Sequence, residues 1–271
     1  VTDARQFLGI EPLADDRHWR LEVVPELTTP GRFLFGGCGL AAALVALEAA
    51  SGRPTVWSTA QYLSYAPTGA TLDLTVTLAA EGRRVTQGRV VGYVDGAEIL
   101  TVNAAVGSAA PLEVGGVWIA PPDVLPPDEC PPRRPLNVGS PSIFDRIDVR
   151  LARGRTFEEL RSGDATPGSA DSALWAHIPG HLEPSAATLA ILGDYVSGGV
   201  SQPIGRQVMS RSLDNTLRMV QVEPTEWVLC DIRVQALVGG YAHGIASLWS
   251  ERGTLLATAS QSMSVRLWDL P

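Results

Sequence analysis

A helix that is apolar on every face cannot lie on a protein surface, and residues 35–50, FGGCGLAAALVALEAA, encode one. Such a helix needs cover all round. The same letters allow a second reading. Gly37, Gly39 and Ala42 fit G-x-G-x-x-A, the fingerprint of a dinucleotide-binding turn. That turn follows a buried parallel strand and wants an acidic residue about twenty positions on. Here VVPELTTPGRFLF precedes it, with two prolines that argue against such a strand, and WSTAQYLSY (57–65) offers no acid. The glycines are therefore read as helix-start and packing residues.

Strand-like runs follow the helix: TVWSTAQYLSY, ATLDLTVTLAAEG, RRVTQGRVVGYVDG and AEILTVNAAVG. They are rich in valine and threonine, and turn signals separate them. Asp95-Gly96 between two alternating runs marks a tight hairpin. After a proline-dense stretch, APPDVLPPDECPPRRP, and a middle region with one or two short helices at most, the order repeats. SAATLAILGDYVSGG reads as a second apolar helix, MSRSLDNTLRMVQ and TEWVLCDIRVQALVGG as strands, and YAHGIASLWSERG with TLLATASQSMSVRLW as a hairpin. At an offset of 157 residues Asp95-Gly96 falls on Arg252-Gly253 and Ala104 on Gln261. With a few residues of slippage upstream, STAQYLS (58–64) falls on RSLDNTL (211–217), so that Gln61 lies near Asp214.

One all-apolar helix wrapped by a curled antiparallel sheet is the hotdog arrangement, and two copies predict an α+β double hotdog with its sheets joined edge to edge. The expected division is an N-terminal hotdog over 1–110, a Pro-rich linker over 111–160 and a C-terminal hotdog over 161–271. Hydrophobic residues, 45% of the 271, suffice for such a core.

This ordered set of segments resembles the acyl-CoA thioesterase II family of double-hotdog hydrolases. LFGG ahead of an apolar helix carries the resemblance in the first half, and EWVLCDIRVQALVGGYAHGIASLWSERGTLLATASQ in the second. It implies hydrolysis of acyl-CoA to a free acid and CoA by an activated water, with no metal or organic cofactor. In the family an Asp, a Ser or Thr and a Gln hold that water. The resemblance carries these roles to Asp214 of Asp214-Asn215-Thr216, to Gln235 and to Gln261. The match is imperfect. A histidine expected after the Asp is missing, Gln235 stands where a hydroxyl is expected, and Tyr241 replaces a usual arginine. Those departures keep a second reading open, a non-catalytic acyl-CoA or acyl-chain binding protein. A hotdog dehydratase would need a paired Asp and His, and no such pair is visible. Homo-oligomers are common among hotdog proteins, and the resemblance extends that option here.

Other chemistries lack their motifs. There is no G-x-S-x-G elbow and no HExxH; His177 and His181 flank a Pro-Gly and read as loop, and His243 as a sheet-face residue. Cys38, Cys130 and Cys230 are few and widely spaced, which argues against a disulfide framework or zinc knuckle, and Cys38 reads as packed and inert. The net charge of −8 speaks against nucleic acid or anionic membrane as partner. With no long apolar span and no secretory leader pattern, the expected compartment is the cytoplasm.

Overall fold

The computed structural model describes residues 3–109, 112–133, 141–162, 166–180 and 183–268. His181 and residues 134–140 of the proline-rich stretch lie outside them. The N-terminal half holds helices α1 (Ala4–Leu8) and α2 (Gly36–Ser51) and strands β1 (Glu11–Pro12), β2 (His18–Glu22), β3 (Thr55–Tyr62), β4 (Thr71–Glu81), β5 (Val85–Val94) and β6 (Ala97–Gly107). The C-terminal half holds β7 (Asp148–Arg153), α3 (Phe157–Arg161), β8 (Asp171–His177), α4 (Ala186–Gly193), α5 (Val196–Gly199), α6 (Ser201–Ile204), β9 (Val208–Ser212), β10 (Asp214–Met219), β11 (Val228–Val238), β12 (Tyr241–Ser250) and β13 (Leu255–Leu267).

Among the described residues all thirteen strands belong to one antiparallel sheet in the order β1-β2-β4-β5-β6-β3-β10-β13-β12-β11-β8-β7, with β9 also on β13. Read outward from the β3–β10 junction, the two halves have the same order. β4 and β11 are offset by 157 residues at both ends. At the junction Thr59 and Thr216, themselves 157 apart, are paired, and their hydroxyls hydrogen-bond at 2.8 Å. The offset therefore holds here without slippage. Gln61 and Asp214 are partners across the junction, not equivalents in the repeat.

Sequence dictates the details. Alanine and leucine, strong helix formers, build α2. It ends where Gly52 adopts φ 64° and returns its N–H to the Glu48 carbonyl at 2.8 Å. Asp95 (φ 50°) and Gly96 (φ 78°) form the β5–β6 turn with both central residues left-handed, as a two-residue hairpin requires. Every residue of α4 is buried, as is most of α2, and the two helices pack together under the sheet. Serine caps α4: Ser185 Oγ accepts the Thr188 N–H at 3.1 Å.

Two elements differ from the sequence reading. The stretch expected as one strand, MSRSLDNTLRMVQ, breaks at Leu213 into β9 and β10, because both must pair with successive parts of β13 while only β10 also pairs with β3. Residues 148–153, placed in the Pro-rich linker, and 171–177, in the middle region expected to hold at most one or two short helices, are β7 and β8 at the outer edge of the C-terminal half. Part of the proline-rich stretch lies against the back of that half. Cys130 and Val124 pack with Trp175, Leu229 and Trp249, and the Trp175 indole donates to the Leu125 carbonyl at 2.9 Å. No described helix is long and apolar enough to cross a membrane.

Candidate active site

Among the described residues a single carboxylate is buried inside the double hotdog. Asp194 caps the C-terminal end of α4, is 4% exposed, and points at the first turn of α2. The Gly37 N–H donates to its Oδ2 at 2.7 Å, and Asn215 Nδ2, from β10, donates to Oδ1 at 3.2 Å. Gln261 Nε2, from β13, makes a short hydrogen bond to Oδ1. The other end of the Gln261 amide is also fixed, since its Oε1 accepts the Ser197 N–H of α5 at 3.1 Å. Ser212 Oγ lies 3.4 Å from Gln261 Nε2. Three separate elements, α2, β10 and β13, thus converge on one buried carboxylate at the end of α4.

The electrostatics pull in opposite directions. Burial disfavours the carboxylate, and the three donated hydrogen bonds favour it. Burial wins, and the Asp194 pKa is pushed up to about 7. Tyr62 stands beside it. A Cβ built on Gly36 would fall 3.0 Å from both Asp194 Oδ2 and the Tyr62 hydroxyl, so a side chain there would crowd both groups at the helix start. That hydroxyl is buried with no hydrogen-bond partner among the described residues. Burial, then the Asp194 charge, push its pKa up, which keeps it a neutral donor.

The site opens into a cleft. Phe35, Leu72, Ile99 and Leu100 supply buried apolar wall, and Ser64, Ser210 and Arg211 supply an exposed polar rim. Gly36, Tyr62, Asp194 and Ser197 also line it.

Of the residues named from sequence, Gln261 is in this cluster. Asp214 has a different bond: its Oδ1 accepts the Ser262 N–H at 2.6 Å, filling the gap in the ladder where β9 passes to β10. Gln235 is exposed, falls at the β11 bulge between Val234 and Ala236, and does not line the cleft. His243 is an exposed residue of β12, with its Nδ1 3.1 Å from Ser262 Oγ. Cys38 is fully buried and its thiol pKa is raised by burial, consistent with a packed residue.

Asp194, Asn215 and Ser197 were not singled out from sequence. One signal was available: Asp194 is the only carboxylate in the apolar run SAATLAILGDYVSGG. A lone charge in a buried helix either has partners or a task. The repeat adds a contrast. The positions 157 residues before Asp194, Asn215 and Gln261 are Gly37, Ser58 and Ala104, so the first half carries no matching carboxylate or amide.

Comparison with known families decides the kinship. The acyl-CoA thioesterase N-terminal domain matches residues 24–107, and the acyl-CoA thioesterase C-terminal domain matches residues 125–265. The chain belongs to the acyl-CoA thioesterase family. Among solved structures, a presumed thioesterase from Novosphingobium aromaticivorans is 32% identical with a TM-score of 0.81, over 93% of this chain and 97% of the other. A hot dog fold protein of unknown function from Alicyclobacillus acidocaldarius is 22% identical with a TM-score of 0.79, over 94% and 96%. An acyl-CoA thioesterase II from Mycobacterium marinum is 19% identical with a TM-score of 0.73, over 97% and 98%. Among curated proteins no sequence matches. The double-hotdog architecture and the thioesterase family expected from sequence both stand, and family membership places this thioesterase chain among hydrolases.

Proposed function

We propose that this chain hydrolyses acyl-CoA thioesters with a water activated by Asp194 and oriented by Gln261. The observation that carries the reading is the buried carboxylate, with the Gln261 amide on its Oδ1, lining a cleft with an apolar wall. A general base works best when its pKa lies near the working pH, and a carboxylate at about 7 is far better placed than one near 4.

In this reading water adds to the thioester carbonyl carbon while Asp194 takes a proton from it. The carbonyl electron pair moves onto oxygen. The Gly36 N–H, at the free first turn of α2, and the orphan Tyr62 hydroxyl are the donors placed to receive that charge. The adduct then collapses, the C–S bond breaks, and the proton on Asp194 passes to the departing thiolate. The products are a carboxylic acid and CoA, with the carboxylate restored. The acyl chain lies against Phe35, Leu72 and Leu100.

Thiol release from a panel of acyl-CoAs, short to long, tests the reading. Turnover above background with at least one ester supports it. Acyl-CoA that raises the melting temperature without being cleaved would support the binding-protein alternative. The pH profile is a second test. Only ionised Asp194 can accept the proton, so kcat is expected to fall about tenfold per pH unit below about 7 and to level off above. Asn215→Ala removes a donor that favours the ionised form, so the limb should move to higher pH. A limb near 4 would mean that a solvent-exposed carboxylate does this work.

A further inference from the structure

Arg211 of β9 is the only cationic side chain lining the cleft among the described residues, and it is exposed at the rim. Its guanidinium carbon lies 4.7 Å from the centre of the Tyr65 ring, and Tyr65 in turn meets Phe33 at a tilt of 45°, with ring centres 4.6 Å apart. These contacts cross from the C-terminal half to the N-terminal half at the mouth. Arg211 Nη2 donates one long hydrogen bond, 3.4 Å, to the Leu63 carbonyl. Among the described residues no carboxylate pairs with it, whereas Arg20, Arg89, Arg150 and Arg233 each have one.

A guanidinium has five N–H donors, and most of these are left free. Its planar fork matches a phosphate, and stacking on an aromatic face holds it ready. The protein as a whole carries a charge of −8, which repels a polyanion such as CoA. A local cation at the mouth opposes that repulsion where the ligand enters. Next in the chain, Ser212 approaches Gln261 at the catalytic end, so the rim cation and the proposed chemistry share one strand.

We propose that Arg211, seated on Tyr65, binds a phosphate of the substrate's CoA portion and so anchors the thioester for attack. The inference rests on the thioesterase reading. The test compares the best acyl-CoA of the panel with the N-acetylcysteamine thioester of the same acyl group, which has no phosphate. With Arg211→Gln, KM for the CoA ester should rise about tenfold, as for loss of one charge-assisted bond, with kcat nearly unchanged. With the phosphate-free ester, kcat/KM should not change. Arg211→Lys should recover part of the loss, and added salt should raise KM for the parent more than for Arg211→Gln. Equal losses with both esters, or no loss with either, would overturn the proposal. If the parent cleaves neither ester, the thioesterase reading fails instead. Calorimetry with CoA alone then decides on Arg211: weaker binding to Arg211→Gln supports the anchor, and equal or absent binding overturns it.

Discussion

Asp194→Asn is expected to give a folded protein whose thiol release from acyl-CoA is slower by roughly 100- to 10,000-fold, the usual worth of a positioned general base. Asparagine fills the same space but cannot take a proton from water. It also cannot accept from Gly37, Asn215 and Gln261 together, because one end of its amide is itself a donor. Asp214→Asn is the informative companion. Its Oδ1 accepts the Ser262 N–H, a bond that an asparagine carbonyl oxygen can also accept, so the substitution should keep the β9–β10 break and leave turnover within a few-fold of the parent. The reverse pattern, activity lost at 214 and kept at 194, would move the base to Asp214 and remove Asp194 from the mechanism.

The same substitution has a signature that does not depend on turnover. Asp194 binds its proton more tightly in the folded state than the model carboxylate value of 3.8 allows in the unfolded chain. Its contribution to stability is therefore fully present below about 4 and is lost as pH rises to about 7. The loss is at most about 4 kcal/mol for a shift of that size. Asparagine does not titrate. The melting temperature of Asp194→Asn relative to the parent should therefore rise between pH 4 and pH 7 and stay level above. The donor mismatch in the variant is the same at every pH and does not imitate this slope. A difference that stays flat across that range would show that burial does not perturb Asp194.

What could be read from the chain follows from which interactions are local. The all-apolar helix, the alternating strands and the Asp95-Gly96 turn are written in short windows, and the structure contains all three. The offset of 157 was legible too, because it repeats a pattern and needs no contact. The carboxylate was harder to find. A family pattern pointed to a strand residue, Asp214, whereas the charge inside the fold comes from a helix end. Only the three-dimensional meeting of α2, β10 and β13 gives Asp194 its partners, and α5 holds one of them, Gln261, in place. Gln261 was reachable because it lies in the long ungapped run of the second half. Gln235 looked equivalent to a site residue by position, but the bulge after Val234 leaves it without a ladder partner and exposed.

The glycines that begin α2 separate packing from mere helix composition. Gly37 lies where α2 meets α4. A Cβ there would fall 2.8 Å from the Ile191 Cα and 2.9 Å from the Ala190 carbonyl oxygen, and both are backbone atoms that cannot turn aside. Two residues later a Cβ on Gly39 would meet only the Leu100 and Leu34 methyl groups, at 3.4 and 3.6 Å. Both glycines are buried and helical, so composition alone predicts the same gain for alanine at each, about 0.5 to 1 kcal/mol. The contacts predict opposite signs. Gly37→Ala should destabilise by about 1 to 3 kcal/mol, since α4 must shift to admit the methyl group. It should also cut activity sharply, because the shift moves the Gly37 N–H and Asp194 relative to each other. Gly39→Ala should leave both stability and turnover near those of the parent or slightly improve stability. Denaturant melts and thiol release for the two variants side by side would check this. If Gly37→Ala melted no lower than Gly39→Ala, the close crossing of α2 and α4 would not be what holds the carboxylate against the helix.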